Sequence, residues 1–395
     1  MRTKRQVCLS IVLLLAVAVV LSGCGSSSKT KSLIVADAFN NRVLIYDAPF
    51  STNQSASVAL GQSSLTSATA GTTASTMNFV TEVAVDRDGN LWVFDDVNNC
   101  RVLQFKPPFT TGMAASLVIG QPDFTTAGCS STATATKIME SAGIATDSNG
   151  NLWVADWGHS RVLEFKPPFT NGMAATLVLG QADMTQGSCN QGVAVSSSTL
   201  CGPRHIVFDV SGNLWVADGD NNRILQFKKP FSTNMAASLE LGQPSATAFT
   251  SNGANQGGLS ASSLYRSSGL AFDSSGNLWV TELMNNRVLE FKAPFTNGMA
   301  ATTVLGQADF TTVTGGTTSA LFKTPNDVAL DSSGNLYVPD QGNNRTLVFA
   351  PPFSNGMAAT KVIGQADFTH WSANQGGSVG AQTQSQPFSV TTSMH

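Results

Sequence analysis

The chain has 395 residues, of which 42% are hydrophobic and only 12% charged, about half the roughly 25% of an average soluble domain. It can build a sizeable core, but Ser, Thr, Asn, Gln and Gly must cover its surface. The net charge is −3 and no basic run follows residue 5, which argues against a nucleic-acid partner, since that needs clustered Lys and Arg to displace counterions.

Arg2, Lys4 and Arg5 give the N-terminus a positive start. The apolar run Leu9 to Leu21 is short for a membrane span and suits a secretion signal. Leu21-Ser22-Gly23-Cys24 follows, and it resembles the bacterial lipobox, which implies a diacylated Cys24. An ordinary signal peptide with a Cys at its cleavage site reads the same way. The expected organisation is a signal peptide over 1–23, a flexible tether over 24–31 and a single folded domain over 32–395. Gly25 rather than Asp after the Cys implies the outer membrane if the cell is Gram-negative. The expected address is the cell envelope, with the membrane touched through the lipid anchor only.

From residue 32 onward one unit recurs six times, marked by Arg42, Arg101, Arg161, Arg223, Arg287 and Arg345. In the third copy a short apolar strand, Ile144-Ala145-Thr146, ends in Asp147. The turn Ser148-Asn149-Gly150-Asn151 follows, where Gly admits positive φ and Asp can bond turn amides. Next come a strand from Leu152 to Asp156, a five-residue step to Arg161, and the strand Val162 to Phe165. A Pro168-Phe169 connector leads to a fourth strand, Thr176 to Leu179, ending in Gly180-Gln181. Four short antiparallel strands per unit, repeated six times, predict an all-β, six-bladed β-propeller. Trp92, Trp153, Trp215 and Trp279, with Tyr337, are expected to pack between blades.

The first copy starts at its second strand, Leu33 to Asp37. The C-terminal segment Pro387 to Thr392 lines up with Pro325 to Leu330, so it is expected to complete the first blade and close the ring, removing an exposed sheet edge. The unit Ile-Ala-x-Asp-x-x-Gly-Asn-Leu-Trp-Val-Ala-Asp, followed by Asn-Asn-Arg-Val-Leu-x-Phe, resembles the NHL repeat. It covers the whole expected domain, with connectors and joining loops longer than usual.

The recurring acid–Arg pairs, such as Asp156 and Arg161, read as ion pairs bracing a turn. Chemistry is sought where the copies differ. Where the first strand enters the channel, the equivalent residues are Glu82, Gly143, His205, Gly269, Asp327 and Ser389. Glu82, His205 and Asp327 occupy alternate blades and form a plausible set for a divalent metal such as Ca or Zn, with Arg204 and Asn326 beside it. A hydrated channel lined by whatever polar groups fit is the other reading. Related propellers, the peptidyl-amidating lyases and gluconolactonase-like proteins, hold a metal at this place; the three-His set of the former is absent here. On the enzymatic alternative, a metal-dependent lyase or lactonase, His205 or Glu82 would be the general base.

The long joining loops, such as Gln181 to Pro203, are polar and lie on one face, the default binding surface. The same composition also serves as solubilising cover. Four Cys remain outside the leader, and they allow three pairings. The expected bridges are Cys189–Cys201 and Cys100–Cys129. The leading expectation is a monomeric, non-enzymatic envelope lipoprotein that binds a protein, peptide or glycan through this loop face.

Overall fold

A computed structural model describes residues 31–394. The expected signal peptide, Cys24 and most of the tether lie outside the described residues. Lys31, expected as the last residue of the tether, already belongs to the first strand.

Six four-stranded antiparallel sheets form the six blades. Blade 3 runs outward from the axis as Ser141–Thr146, Leu152–Asp156, Arg161–Phe165 and Leu177–Leu179. The inner strands of the six blades touch one another in sequence around the axis. Among the described residues the helical elements are short 3₁₀ turns, and no helix is long and apolar enough to cross a membrane.

Blade 1 takes its inner strand, Pro387–Met394, from the C-terminus and its other three, Lys31–Asp37, Arg42–Asp47 and Val58–Leu60, from the N-terminus. Leu33 pairs with Thr392 and Val35 with Val390. The ring therefore closes as the repeat phase requires.

The second strands are buried on both faces because each lies between two neighbouring blades. Successive side chains on a strand point to opposite faces. Leu152 and Val154 thus pack with Trp92 and Phe94 of blade 2, while Trp153 and Ala155 pack with Ile206, Leu214 and Val216 of blade 4. Each Trp also anchors a turn. Trp92 Nε1 donates to Asp86 Oδ2 at 3.0 Å and Trp215 Nε1 to Asp209 Oδ2 at 3.0 Å, while Tyr337 Oη donates to Asp331 Oδ2 at 3.1 Å. The other oxygen of the same Asp accepts turn amides.

The Pro-Phe connectors place an aromatic edge on the Trp of the preceding blade. Phe169 lies 5.2 Å from Trp92 and Phe231 4.9 Å from Trp153, both near perpendicular, the arrangement that ring quadrupoles favour. These connectors and the turns after the inner strands form one face of the ring. The joining loops and the turns after the second strands form the other, the loop face. Lys31 sits on the connector face, where its Nζ bonds Ser333 in an inner-strand turn at 2.6 Å.

Candidate functional site: the axial cluster and the loop face

Five of the six inner strands carry a register irregularity near the position that faces the axis. Thr81 is the extra residue before Glu82, and Arg204 the extra residue before His205. A bulge of this kind re-aims the next side chain. Glu82 and His205 lie on inner strands, while Asp327 precedes the short strand Ala329–Leu330. The structure brings all three together, their ligand atoms within 4.8 Å of one another.

Ser389, on the C-terminal strand, is the hub of the cluster. Its hydroxyl lies 2.7 Å from Glu82 Oε1 and 2.9 Å from Asp327 Oδ2. Backbone amides complete two carboxylate oxygens: Val83 donates to Glu82 Oε1 and Val390 to Asp327 Oδ2. His205 Nε2 stands 3.5 Å from Asp327 Oδ1 and 3.9 Å from Glu82 Oε1. His205 Nδ1 and Asp327 Oδ1 are buried without a hydrogen-bond partner.

The proton count is short. One hydroxyl proton faces two carboxylates, and a hydroxyl donates once. Burial, reinforced by the charge of Asp327, pushes the Glu82 carboxyl well above its ordinary range. Burial holds His205 below its ordinary value, against the pull of Asp327. Two buried carboxylates beside a largely buried imidazole call for a shared proton or a cation. The residues fit a small divalent cation in charge and donor type, with Asp327 Oδ1 an uncommitted ligand atom.

The glycines at the alternate positions are steric. A Cβ on Gly269 would lie 2.4 Å from Asp327 Cα, and one on Gly143 would lie 2.8 Å from His205 Cα. The bulky residues reach the axis because their neighbours have no side chain. The cluster sits at the loop-face end of an axial channel of about 370 Å³ lined by the inner strands, which extends past Val207 to Phe208 and Thr392.

Two expected neighbours do not join the cluster. The Arg204 guanidinium turns to Asp220 Oδ1 at 3.7 Å and to the Trp157 ring at 5.8 Å. Asn326 bonds Phe388 O through Nδ2 and accepts from Ser268 Oγ. Ser389 occupies the equivalent axial position of blade 1, where a hydroxyl by itself does not suggest a metal ligand. Ring closure sets blade 1 between blades 6 and 2, and the hydroxyl contact to both carboxylates is visible only in the folded chain.

The acid–Arg pairs are present in all six blades, including Asp95 with Arg101, and both partners are fully buried. Each Arg does more than brace a turn. Arg161 Nε donates to Asp156 Oδ2 at 2.7 Å, and its other nitrogens donate to the carbonyls of Met184, Thr134 and Lys137. It thereby clamps the joining loops on both sides of its blade. The recurrent Gly-Gln has a matching role: Gln121 Nε2 donates to Asn99 O and Gly128 O, and Gln307 Nε2 to Asn286 O and Thr314 O. The Gly before it needs φ near +90°, as at Gly120 with +91°, where a side chain is strained.

Both disulfides form as expected. Cys100–Cys129 ties a turn of blade 2 to the loop leading to blade 3, and Cys189–Cys201 closes a single joining loop. His159, which replaces the Asn of the other copies, takes over that Asn's bond to the acid, with Nδ1 2.9 Å from Asp156 Oδ2.

A sequence model of the NHL repeat matches residues 142–165 and 200–227. No curated protein matches this chain. Among solved structures, a protein of unknown function from Bacteroides caccae is similar over 92% of this chain and 99% of its own, at 10% identity and a TM-score of 0.50. Virginiamycin B lyase from Staphylococcus aureus is similar over 83% of each chain, at 13% identity and a TM-score of 0.39. At 10% identity the likeness to the Bacteroides caccae protein is one of fold alone. The chain is a six-bladed β-propeller that carries NHL repeats over residues 142–165 and 200–227, its ring closed by the C-terminal strand.

Proposed function

We propose that the protein is a cell-envelope lipoprotein whose propeller binds a protein, peptide or glycan through its loop face. One observation carries the reading: the joining loops, the turns after the second strands and both disulfides gather on one face, while Lys31 leaves from the other. A tether attached there would direct the loop face away from an anchor at Cys24. The loops are long and polar, and Arg, Gln and disulfide clamps hold them in shape, which lowers the ordering cost of binding.

A photo-crosslinker at Phe39 or Val313, both exposed on the loop face, is expected to capture a ligand. The same probe at Val210, on an inner-strand turn of the opposite face, is expected to capture none. Capture from Val210 as strong as from Phe39 and Val313, or from Val210 alone, would sink the reading. Fatty-acid labelling that persists in Cys24→Ser would remove the anchor.

A second reading attaches to the axial cluster, because Asp327 Oδ1 is buried without a partner. Glu82, His205 and Asp327 would hold a divalent cation, which would supply a Lewis acid for a substrate oxygen in a lyase or lactonase reaction. Calorimetric titration of the full-length chain with Ca²⁺, Zn²⁺ and Mn²⁺ tests it. Binding that His205→Ala abolishes is the expected result; no heat, or heat unchanged in that variant, removes the site.

A further inference from the structure

On the loop face, the copies of the repeat differ in how they finish one hydrogen bond. In five blades an Asn follows the acid of the second strand and donates to its carboxylate, as Asn343 Nδ2 does to Asp340 Oδ2 at 2.8 Å. The amide oxygen of that Asn then needs a donor. Asn40 Oδ1 receives Asn374 Nδ2 at 3.1 Å, Asn99 Oδ1 receives Thr72 Oγ1 at 2.6 Å, Asn221 Oδ1 receives Asn190 Nδ2 at 3.0 Å and Asn285 Oδ1 receives Asn255 Nδ2 at 3.1 Å. Each donor comes from the joining loop before the blade.

Blade 6 is the exception. Asn343 is fully buried and its Oδ1 has no partner. The loop before it runs Gly315-Gly316-Thr317. Gly316 O accepts from Asn343 Nδ2 at 2.7 Å, as Gly71 O does from Asn99. Thr317 follows as Thr72 follows Gly71, yet its hydroxyl makes no such bond to Asn343. Above these residues lies a cavity of about 450 Å³, lined by Asn343, both glycines, Lys323 and Trp371. Trp371 is 55% exposed, and the Lys323 ammonium stands 5.9 Å from the centre of its ring. Asn344 Nδ2 donates to Trp371 O at 2.9 Å, which fixes the backbone that carries the indole.

We propose that this cavity is a glycan subsite that takes one pyranose ring, stacked through its C–H face on Trp371 and donating a hydroxyl to Asn343 Oδ1. The proposal rests on the loop-face reading above and names its ligand class. A flat aromatic platform suits a sugar's apolar face. A buried amide oxygen gains most from a hydroxyl donor, because left unpaired it has lost its water without a replacement. Lys323 supplies donors for further hydroxyls or for the carboxylate of a uronic acid. The cavity lies within the size range of small-ligand sites. A peptide would need a row of backbone partners, and the walls are side-chain amide, hydroxyl and glycine.

The test is an array of neutral and uronic-acid oligosaccharides probed with the full-length chain, followed by calorimetry with the tightest binder. Trp371→Ala and Gly315→Asn are each expected to weaken binding at least about tenfold, which is about 1.4 kcal/mol, and Trp371→Phe to retain part of the affinity. Gly315→Asn fills the cavity from its wall; a Cβ there is 3.5 Å from the nearest atom, so the loop can accept it. Melting curves of the variants report the fold. No glycan retained, or a glycan whose affinity ignores both variants, overturns the subsite. If a protein or peptide is still captured from Phe39 or Val313, the loop-face reading survives that failure. A glycan insensitive to both variants but lost on substitution at Val210 overturns both.

Discussion

Arg161 illustrates how much one side chain carries in this molecule. A guanidinium presents donors in a planar fork, and here the fork meets one carboxylate and three loop carbonyls with no exposure to water. Lys would keep the charge but leave buried acceptors unpaired. Arg161→Lys is expected to cost about 3–5 kcal/mol, read from urea unfolding; a loss below about 1 kcal/mol would show that the clamp is dispensable. Asp96 gives a pH signature. It is 9% exposed with Oδ1 unpartnered, and burial, then the charges of Glu140 and Asp95, push its carboxyl up to about 8. The folded chain therefore holds a proton that the unfolded chain has released. Stability from this group is full below about pH 4 and is lost as pH rises towards about 8. Asp96→Asn is expected to raise Tm by at least about 2 °C near pH 8.5 and to leave it unchanged below about pH 4. An equal shift at both values would sink this assignment. Glu82, His205 and Asp327 were legible as candidates because they break a repeated pattern. Ser389 and the orphaned Asn343 Oδ1 were not, since each is defined by what another blade or loop supplies.

Among the elements, the C-terminal strand has the widest reach. Pro387–Met394 completes blade 1, places Ser389 between two carboxylates and brings Phe388 within 5.3 Å of Phe79. Its loss would leave an open ring with an unpaired strand edge and two facing acids without their shared hydroxyl. Deleting residues 387–395 is expected to lower Tm by more than about 10 °C or to abolish cooperative melting; an unchanged Tm would refute the closure argument. The joining loops depend on fewer contacts. Cys189 and Cys201 are 12 residues apart, and closing a loop of that order contributes about 3 kcal/mol in the chain-entropy account. The double variant Cys189→Ser/Cys201→Ser is expected to lower stability by about that much while the far-ultraviolet spectrum is kept, as circular dichroism would report. The strands themselves were readable as short apolar runs between turn residues, and Leu152 to Ala155 is apolar throughout because it feeds two blade interfaces. The outer strand proved shorter than expected, starting at Leu177 rather than Thr176, since Thr176 instead bonds Glu164 through its backbone and hydroxyl.

At the scale of the whole molecule, each blade buries both faces only because its neighbours are present, and the ring has no free end. Calorimetry is expected to show one unfolding transition for residues 31–394; two resolved transitions would mean that the blades do not act together. The amino-acid sequence by itself determined the blade count, the strand order and the closure. These depend on local periodicity, turn chemistry and repeat phase, which six copies state six times over. Only the tertiary structure decided which polar atoms meet. The convergence of Glu82, His205, Asp327 and Ser389 requires four blades to approach one axis, with glycines between them to let the backbones close in. The unpaired amide oxygen of Asn343 beside Trp371 requires loops from two different joins to fold over one place. A sequence records the copies of a repeat one after another, whereas a site at the axis or between loops depends on distances between residues far apart in the chain.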